Sequence, residues 1–388
     1  MNSIRAATLL RCSQCAVRST ARAGSAQQRL FATSAVLLKH GAVPSFTDVS
    51  SPELQSLLTN IRENLFLPAH LSESQTLLIE KEKYRRQLET PTKATIAGEE
   101  FTLKPLSRFQ RPNGRRSLAA AVELMQEKRD WDNLPNLLQG MKTAAGLRSS
   151  RRWHPTLEKV ISRLGRAGRQ EVLLECLRRG SETGITMNSR QFATDIFTQF
   201  HRKAVDNDFN PQDTKKAFSW AEQAAVVMEN PEHAGSTNLA GEDDPRTSPE
   251  VIGILLDLAA VNSSKNLAGK DDGNKVASYA EKFLNTPVAL KPVPADGFDI
   301  NRWMWAQVPI LHGLNLAQTI LGPKSKYADE LRSRAAALGA QVEEAKTRLE
   351  LWQATRPPKP VSASGGFKRT EGPKYGLELY MKLIAGSL

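Results

Sequence analysis

From residue 117 onward, apolar positions recur with a helical period along most of the chain. The stretch HPTLEKVISRLGRAGRQEVLLECLRRGSETGI, residues 154–185, shows it best. Leu157, Val160, Ile161 and Leu164 fall at i, i+3, i+4 and i+7, one face of a helix. Gly165 and Gly168 loosen a turn. Val172, Leu173, Cys176 and Leu177 then mark a second amphipathic helix, and Gly184 is placed to cap its end. Two such helices cannot bury their faces alone. They need neighbours stacked on them, which is the physics of a solenoid.

The flanks predict further elements. SPELQSLLTNIREN reads as a helix with Ser51 as N-cap and Pro52 at its first position. A second helix, about 72–88, is rich in Glu, Lys and Arg. TKATIAGEEFTLKPL reads as a short hairpin, with Thr95/Ile96 and Phe101/Leu103 alternating around Ala97-Gly98. Downstream, KAFSWAEQ (216–223) and KVASYAEK (275–282) share Lys-x-x-Ser-aromatic-Ala-Glu, 59 residues apart. A small Ala beside an aromatic lets two helices pack closely, as tetratricopeptide-type hairpins do. Two polar, Gly-rich stretches, 230–249 and 262–274, are expected to be mobile loops. Longer helices follow at about 301–320 and 325–355, the second with Leu331, Ala335, Leu338, Val342, Ala345 and Leu349 on one stripe. A Pro- and Gly-rich linker precedes a last short helix at 375–384. The expected fold class is all-α: a helical-hairpin solenoid with a small irregular N-terminal extension. Its segments are an extension at 39–103, basic repeats at 104–229, a loop at 230–249, a helical region at 250–356 and a tail at 357–388.

Residues 117–205 resemble the pentatricopeptide repeat. Leu157 stands at the early position of the first helix, Ala167-Gly168-Arg169 at the turn and Gly184-Ile185 at the end. The next early aromatic, Phe192, lies 35 residues after Leu157, the family period. LPNLLQGMKTAAGL (134–147) is similar to the second helix of a preceding unit. In RNA-reading members, a first-helix residue and an Asp or Asn before the next unit discriminate bases. Those positions here are Glu158 and Ala193, with Asn188 as the second. Asn188 fits; Glu158 would repel a phosphate backbone, and Ala193 offers no donor or acceptor. The resemblance therefore implies the fold and argues against reading a specific transcript.

Charge sharpens the picture. The net charge is +12. Residues 1–38 hold Arg5, Arg11, Arg18, Arg22 and Arg29 and no acid. That composition is a mitochondrial transit peptide's. RLFATSAVLLK resembles the two-step matrix-processing pattern, with Arg29, Phe31 and Ser34 in Arg-x-Phe-x-x-Ser order and a mature chain starting near Lys39. Residues 104–179 hold 17 Lys/Arg against 7 Asp/Glu, and the rest of the mature chain is slightly acidic. A localised basic block is the footprint of a phosphate-binding surface; a set of solvated helix faces is the other reading. Cys12 and Cys15 fall in the leader, which leaves Cys176 alone and excludes a disulfide framework or zinc site in the mature chain. No run approaches the ~18–20 apolar residues of a spanning helix.

Motifs for chemistry are missing. There is no GxxxxGK[ST], GxGxxG after a strand, HExxH or GxSxG, and the six histidines lack ligand spacing. DDG at 271–273 lacks the ligands of a calcium loop. No catalytic residue, cofactor or metal is expected. Binding is, on two segments. The first offers Lys104, Arg108, Arg111, Arg115 and Arg116 around Phe109, with Pro112 and Gly114 keeping it extended. The second offers Arg148, Arg151 and Arg152 with Trp153, either a stacking face or a residue packed under the next helix. Arg163, Arg166 and Arg169 add charge on the repeat. The expected function is non-enzymatic and in the mitochondrial matrix: an RNA-associated helical-repeat protein of mitochondrial gene expression. It would be bound to the mitochondrial ribosome or act as an RNA maturation or translation factor, with RNA or a ribonucleoprotein and other mitochondrial proteins as partners. A respiratory-complex assembly adaptor is the alternative, and an enzyme with a site assembled only on folding is a third.

Overall fold

The computed structural model describes residues 41–107, 109–147, 152–234, 243–286, 289–355 and 375–386. The expected leader and the Pro/Gly-rich linker lie outside them.

Ser51 caps α1 (Pro52–Ile61) by accepting from the Leu54 N–H at 3.1 Å. The helix continues through a wider π-turn, Arg62–Phe66, into Leu67–His70. Pro68 has no N–H to give the Asn64 carbonyl, so the ladder widens ahead of it. The helix expected at 72–88 is shorter. α2 (Glu73–Glu80) has the Ser72/Gln75 capping box, but Lys81 is extended and Glu82–Glu89 is a 3-10 stretch that buries no residue. Helix-forming residues alone do not hold an α-helix in place without an apolar face to dock. The hairpin forms: β1 (Lys93–Ile96) pairs antiparallel with β2 (Glu99–Thr102). Ala97 and Gly98 both take positive φ, the turn whose twist matches the strands. Its inward residues Ala94 and Leu103 meet Ile79 and Leu106 in a small apolar cluster of their own.

Helices follow: α3 (Gly114–Leu124), α4 (Leu134–Ala145), α5 (His154–Arg166), α6 (Gln170–Arg178), α7 (Arg190–Val205) and α8 (Pro211–Met228). Then come α9 (Pro249–Asn266), α10 (Lys275–Leu284), α11 (Gly297–Leu321), α12 (Ala328–Thr355) and α13 (Tyr375–Tyr380). The chain is thus predominantly helical. Alternate helices pack in order: α3 on α5, α5 on α7, α7 on α9 and α9 on α11. The other row runs α4 on α6 and α6 on α8. Leu157, Val160, Ile161 and Leu164 are all buried, and Gly168 and Gly184 take the left-handed backbone expected at the turn and the cap. No described helix is long and apolar enough to cross a membrane.

The two Lys-x-x-Ser-aromatic-Ala-Glu segments meet face to face. Glu222 accepts from Tyr279 Oη at 3.1 Å and pairs with Lys275, while Phe218 and Tyr279 make an edge contact. The loop expected at 262–274 is shorter than its composition suggests. α9 runs on through Asn266, and Ser263 is buried within it. Of 230–249, the described ends are packed, with His233 and Asp244 both buried.

α9 is enclosed on almost every side, so its polar residues need internal partners. Glu250 takes a two-pronged pair from Arg190 on α7, both bonds 2.7 Å. Asp257 accepts from His201 at 2.6 Å and His312 at 2.7 Å, joining α7, α9 and α11. Burial alone would raise the Asp257 pKa, yet the two imidazoles hold it below the ordinary carboxylate value. Gly313 makes the approach possible: a Cβ there would lie 2.7 Å from the Asp257 backbone.

Candidate nucleic-acid interface

The described parts of the two basic segments touch at Arg115 and Arg152. Asn113 caps α3 by accepting from the Arg116 N–H at 3.2 Å, which sets Arg115 and Arg116 outward in the first turn. Arg115 Nη1 donates to the Arg152 carbonyl at 3.4 Å, and Gly114 lies against Ala145 and Trp153. The segment is not extended, as Pro112 and Gly114 suggest it should be. Gln110 N donates to the Ser107 carbonyl at 2.9 Å, and Gly114 opens a helix. Leu103 and Leu106 anchor it from the other side.

The cations divide by their partners. Lys104 faces Glu63 at 3.6 Å, Arg111 meets Glu80 at 3.0 Å, and Arg169 faces Glu171 at 3.6 Å. Arg116, Arg152, Arg163 and Arg166 are exposed and have no carboxylate partner among the described residues, and the same holds for Arg115. Arg108, Arg148 and Arg151 lie outside the described residues. On α5, burial first, then the like charges of Arg163 and Arg202, lower the Arg166 pKa from its ordinary value. Arg202, on α7, adds a like charge from beyond the basic block, with Asp206 paired to it at 2.8 Å. No sequence signal points to it, because it is contributed by the next hairpin and packs over the Tyr375 ring at 4.4 Å.

The aromatics part ways. Phe109 stands 98% exposed at the tip of its turn. Trp153 is 4% exposed and belongs to the main core, so the packed alternative is the one adopted and its ring is not open to a base.

The base-reading positions implied by the repeat are also occupied from within. Ala193 is fully buried. Glu158 accepts from Arg302 of α11 at 2.6 Å, and the same guanidinium bonds Asp195 on α7. His154 adds a contact to Glu158 at 2.9 Å. His154, Glu158 and Asp195 have metal-ligand spacing, but the charge they surround is Arg302. Burial opposes that charge; Asp195 and Glu158 overcome it and raise the Arg302 pKa from its ordinary value. Asn188 is exposed. Beside this knot a cleft of about 470 Å³ is lined by Trp303, Trp305, Thr194 and Thr198, and its Glu250 and Asp195 are held by Arg190 and Arg302.

These packed helices define a predominantly helical protein that carries exposed arginines on α3 and α5. Residues 29–364 match the family model described as mitochondrial ribosomal protein mS27, and the chain belongs to that family. It is similar to the small ribosomal subunit protein mS27 of Neurospora crassa, 25% identical over 259 residues. That alignment covers 62% of this chain and 64% of the relative, so the chain spans under two thirds of that protein's length.

Proposed function

We propose that this chain is a non-enzymatic component of the small subunit of the mitochondrial ribosome, working in the matrix in mitochondrial translation. The observation that carries the reading is the family match across 29–364. On this reading the chain is a pentatricopeptide-like solenoid with two surfaces. One docks on ribosomal RNA through Arg115, Arg116, Arg152, Arg163 and Arg166, with Arg108, Arg148 and Arg151 near them in sequence and Phe109 available to stack on an unpaired base. Lys104, Arg111 and Arg169 sit on its rim, their charges already met by Glu63, Glu80 and Glu171. The other surface is the outside of the helical hairpins, which meets neighbouring ribosomal proteins. Binding is by charge and shape, not by base reading, because Glu158 and Ala193 are engaged inside the fold.

The test is gradient sedimentation of the tagged protein from mitochondrial lysate, with and without RNase. Migration with the small ribosomal subunit, abolished by digestion, supports the reading. Migration with a respiratory assembly intermediate, indifferent to RNase, overturns it.

A further inference from the structure

We propose that the outer edge of β2 is a docking site for an extended segment of a neighbouring protein, which adds to the hairpin as a third strand. This rests on the reading that the chain sits among other proteins in a ribosomal particle.

The register fixes which backbone groups are free. Ile96 opposes Glu99 and Ala94 opposes Phe101, and Leu103 N donates to the Thr92 carbonyl at 2.8 Å. In an antiparallel ladder bonded pairs alternate, so Glu99, Phe101 and Leu103 turn their N–H and C=O toward β1. Glu100 and Thr102 turn theirs away. Among the described residues nothing bonds to those outward groups. The outward edge borders a groove of about 450 Å³. Every residue from 99 to 104 lines one wall, and 62–71 supplies the other. Strand side chains alternate between faces, so a wall of consecutive residues is the strand's edge. Leu67, Leu71 and Ile79 give the groove an apolar lining that can take alternate side chains of an added strand.

The chemistry selects a polypeptide. The free groups are donors and acceptors in alternation, which an extended backbone satisfies in full. A phosphate backbone can use only the donors, and the two cations that line the groove, Arg62 and Lys104, are already met by Glu99 and Glu63. The other walls of the hairpin do not compete: the Lys93–Glu100 and Arg62–Glu99 pairs engage side chains and leave the edge amides open.

The experiment is amide hydrogen exchange at single-residue resolution, on the full chain alone and in purified small subunits. The expected result is slowing by about tenfold or more at Glu100 and Thr102 in the particle. Phe101 and Leu103, already bonded, should change less. Thr102→Pro removes one outward N–H and none that β1 uses. It should leave the isolated protein's Tm and RNA binding unchanged, yet loosen its retention in salt-washed subunits. Unchanged exchange at both amides overturns the proposal whether or not the variant folds. Protection that disappears when RNA is digested while cross-linked protein neighbours remain also overturns it, by assigning the edge to RNA. Absence of the chain from the subunit is a separate result: it overturns the ribosomal reading, and the docking with it.

Discussion

Arg302 on α11 donates to Glu158 on α5 at 2.6 Å, a bond between residues 144 apart in sequence. The same guanidinium takes Asp195 of α7, so one side chain ties three helices. Removing it leaves two carboxylates side by side with their cation gone. Arg302→Ala should therefore destabilise the fold by about 2 kcal/mol, below the 3–5 typical of fully buried pairs because Arg302 is partly exposed. Arg302→Lys should recover only part of this, since an ammonium lacks the fork that holds two partners. Urea unfolding of the three proteins checks it; equal midpoints would show the knot to be ornamental.

That knot also marks where the sequence stops being legible. Local features are readable because their causes are local. The i, i+3, i+4 spacing of Leu157, Val160 and Ile161 yields α5, and Ala97-Gly98 yields the hairpin. The break at Lys81 is not readable, because a helix of good formers fails there for want of a tertiary surface. The proposed RNA-docking surface is legible as a total charge and illegible as a map. Seventeen cations stand in 104–179, but whether each is free depends on distant acids: Glu63 for Lys104 and Glu80 for Arg111. Arg302, Asp195 and Arg202 carry no motif at all. Their roles exist only once helices from different hairpins are side by side.

Arg190 and Glu250 make a buried, two-pronged ion pair between α7 and α9, with side-chain exposures of 6% and 4%. The guanidinium also donates to the Ala289 carbonyl at 3.0 Å, and Ser248 donates to Glu250. Arg190→Ala should cost about 3–5 kcal/mol, because it strands a buried carboxylate. Arg190→Met with Glu250→Leu should be much less damaging than the sum of the single changes, since neither charge is then left alone. A double-mutant cycle from denaturant midpoints decides it, and strict additivity would contradict the pairing.

His233 carries a pH dependence whose sign follows from its bonds. Its Nδ1 accepts the Met187 N–H at 3.1 Å, so Nε2 carries the proton and donates to the Leu177 carbonyl at 2.9 Å. Protonating Nδ1 breaks the first bond and places a charge in the core. Burial accordingly lowers the pKa from the ordinary 6.5, against the opposing pull of the Leu177 carbonyl and Glu232. The unfolded chain binds the proton more readily than the folded one, so this group's contribution is complete above the ordinary value and is lost as pH falls below it. Wild-type stability should decline between about pH 7 and pH 5. His233→Gln should be less stable at neutral pH but flatter over that window. Chemical denaturation at several pH values checks this, and an equally steep decline in the variant would place the titration elsewhere.

Charge reversal tests the sorted cations. Arg163 and Arg166 lie on the exposed side of α5, where their like charges have no carboxylate partner among the described residues; Arg202 beside them is paired with Asp206. An approaching phosphate relieves that repulsion and releases counterions from the RNA. Arg163→Glu with Arg166→Glu should therefore weaken binding to ribosomal RNA by about tenfold or more, and should reduce the slope of log K against log salt by about one for each phosphate no longer neutralised. On the proposed docking these cations meet the phosphate backbone and not the bases, so the change should be similar across RNA sequences. Arg115→Glu with Arg116→Glu should act in the same direction. Lys104→Glu with Arg111→Glu should weaken binding less, because Glu63 and Glu80 already meet those charges. Fluorescence anisotropy across a salt series, with Tm measured beside it, separates weaker binding from unfolding. If the paired and unpaired cations proved equally sensitive, the division of the surface would be wrong, and the whole block would be acting as diffuse charge.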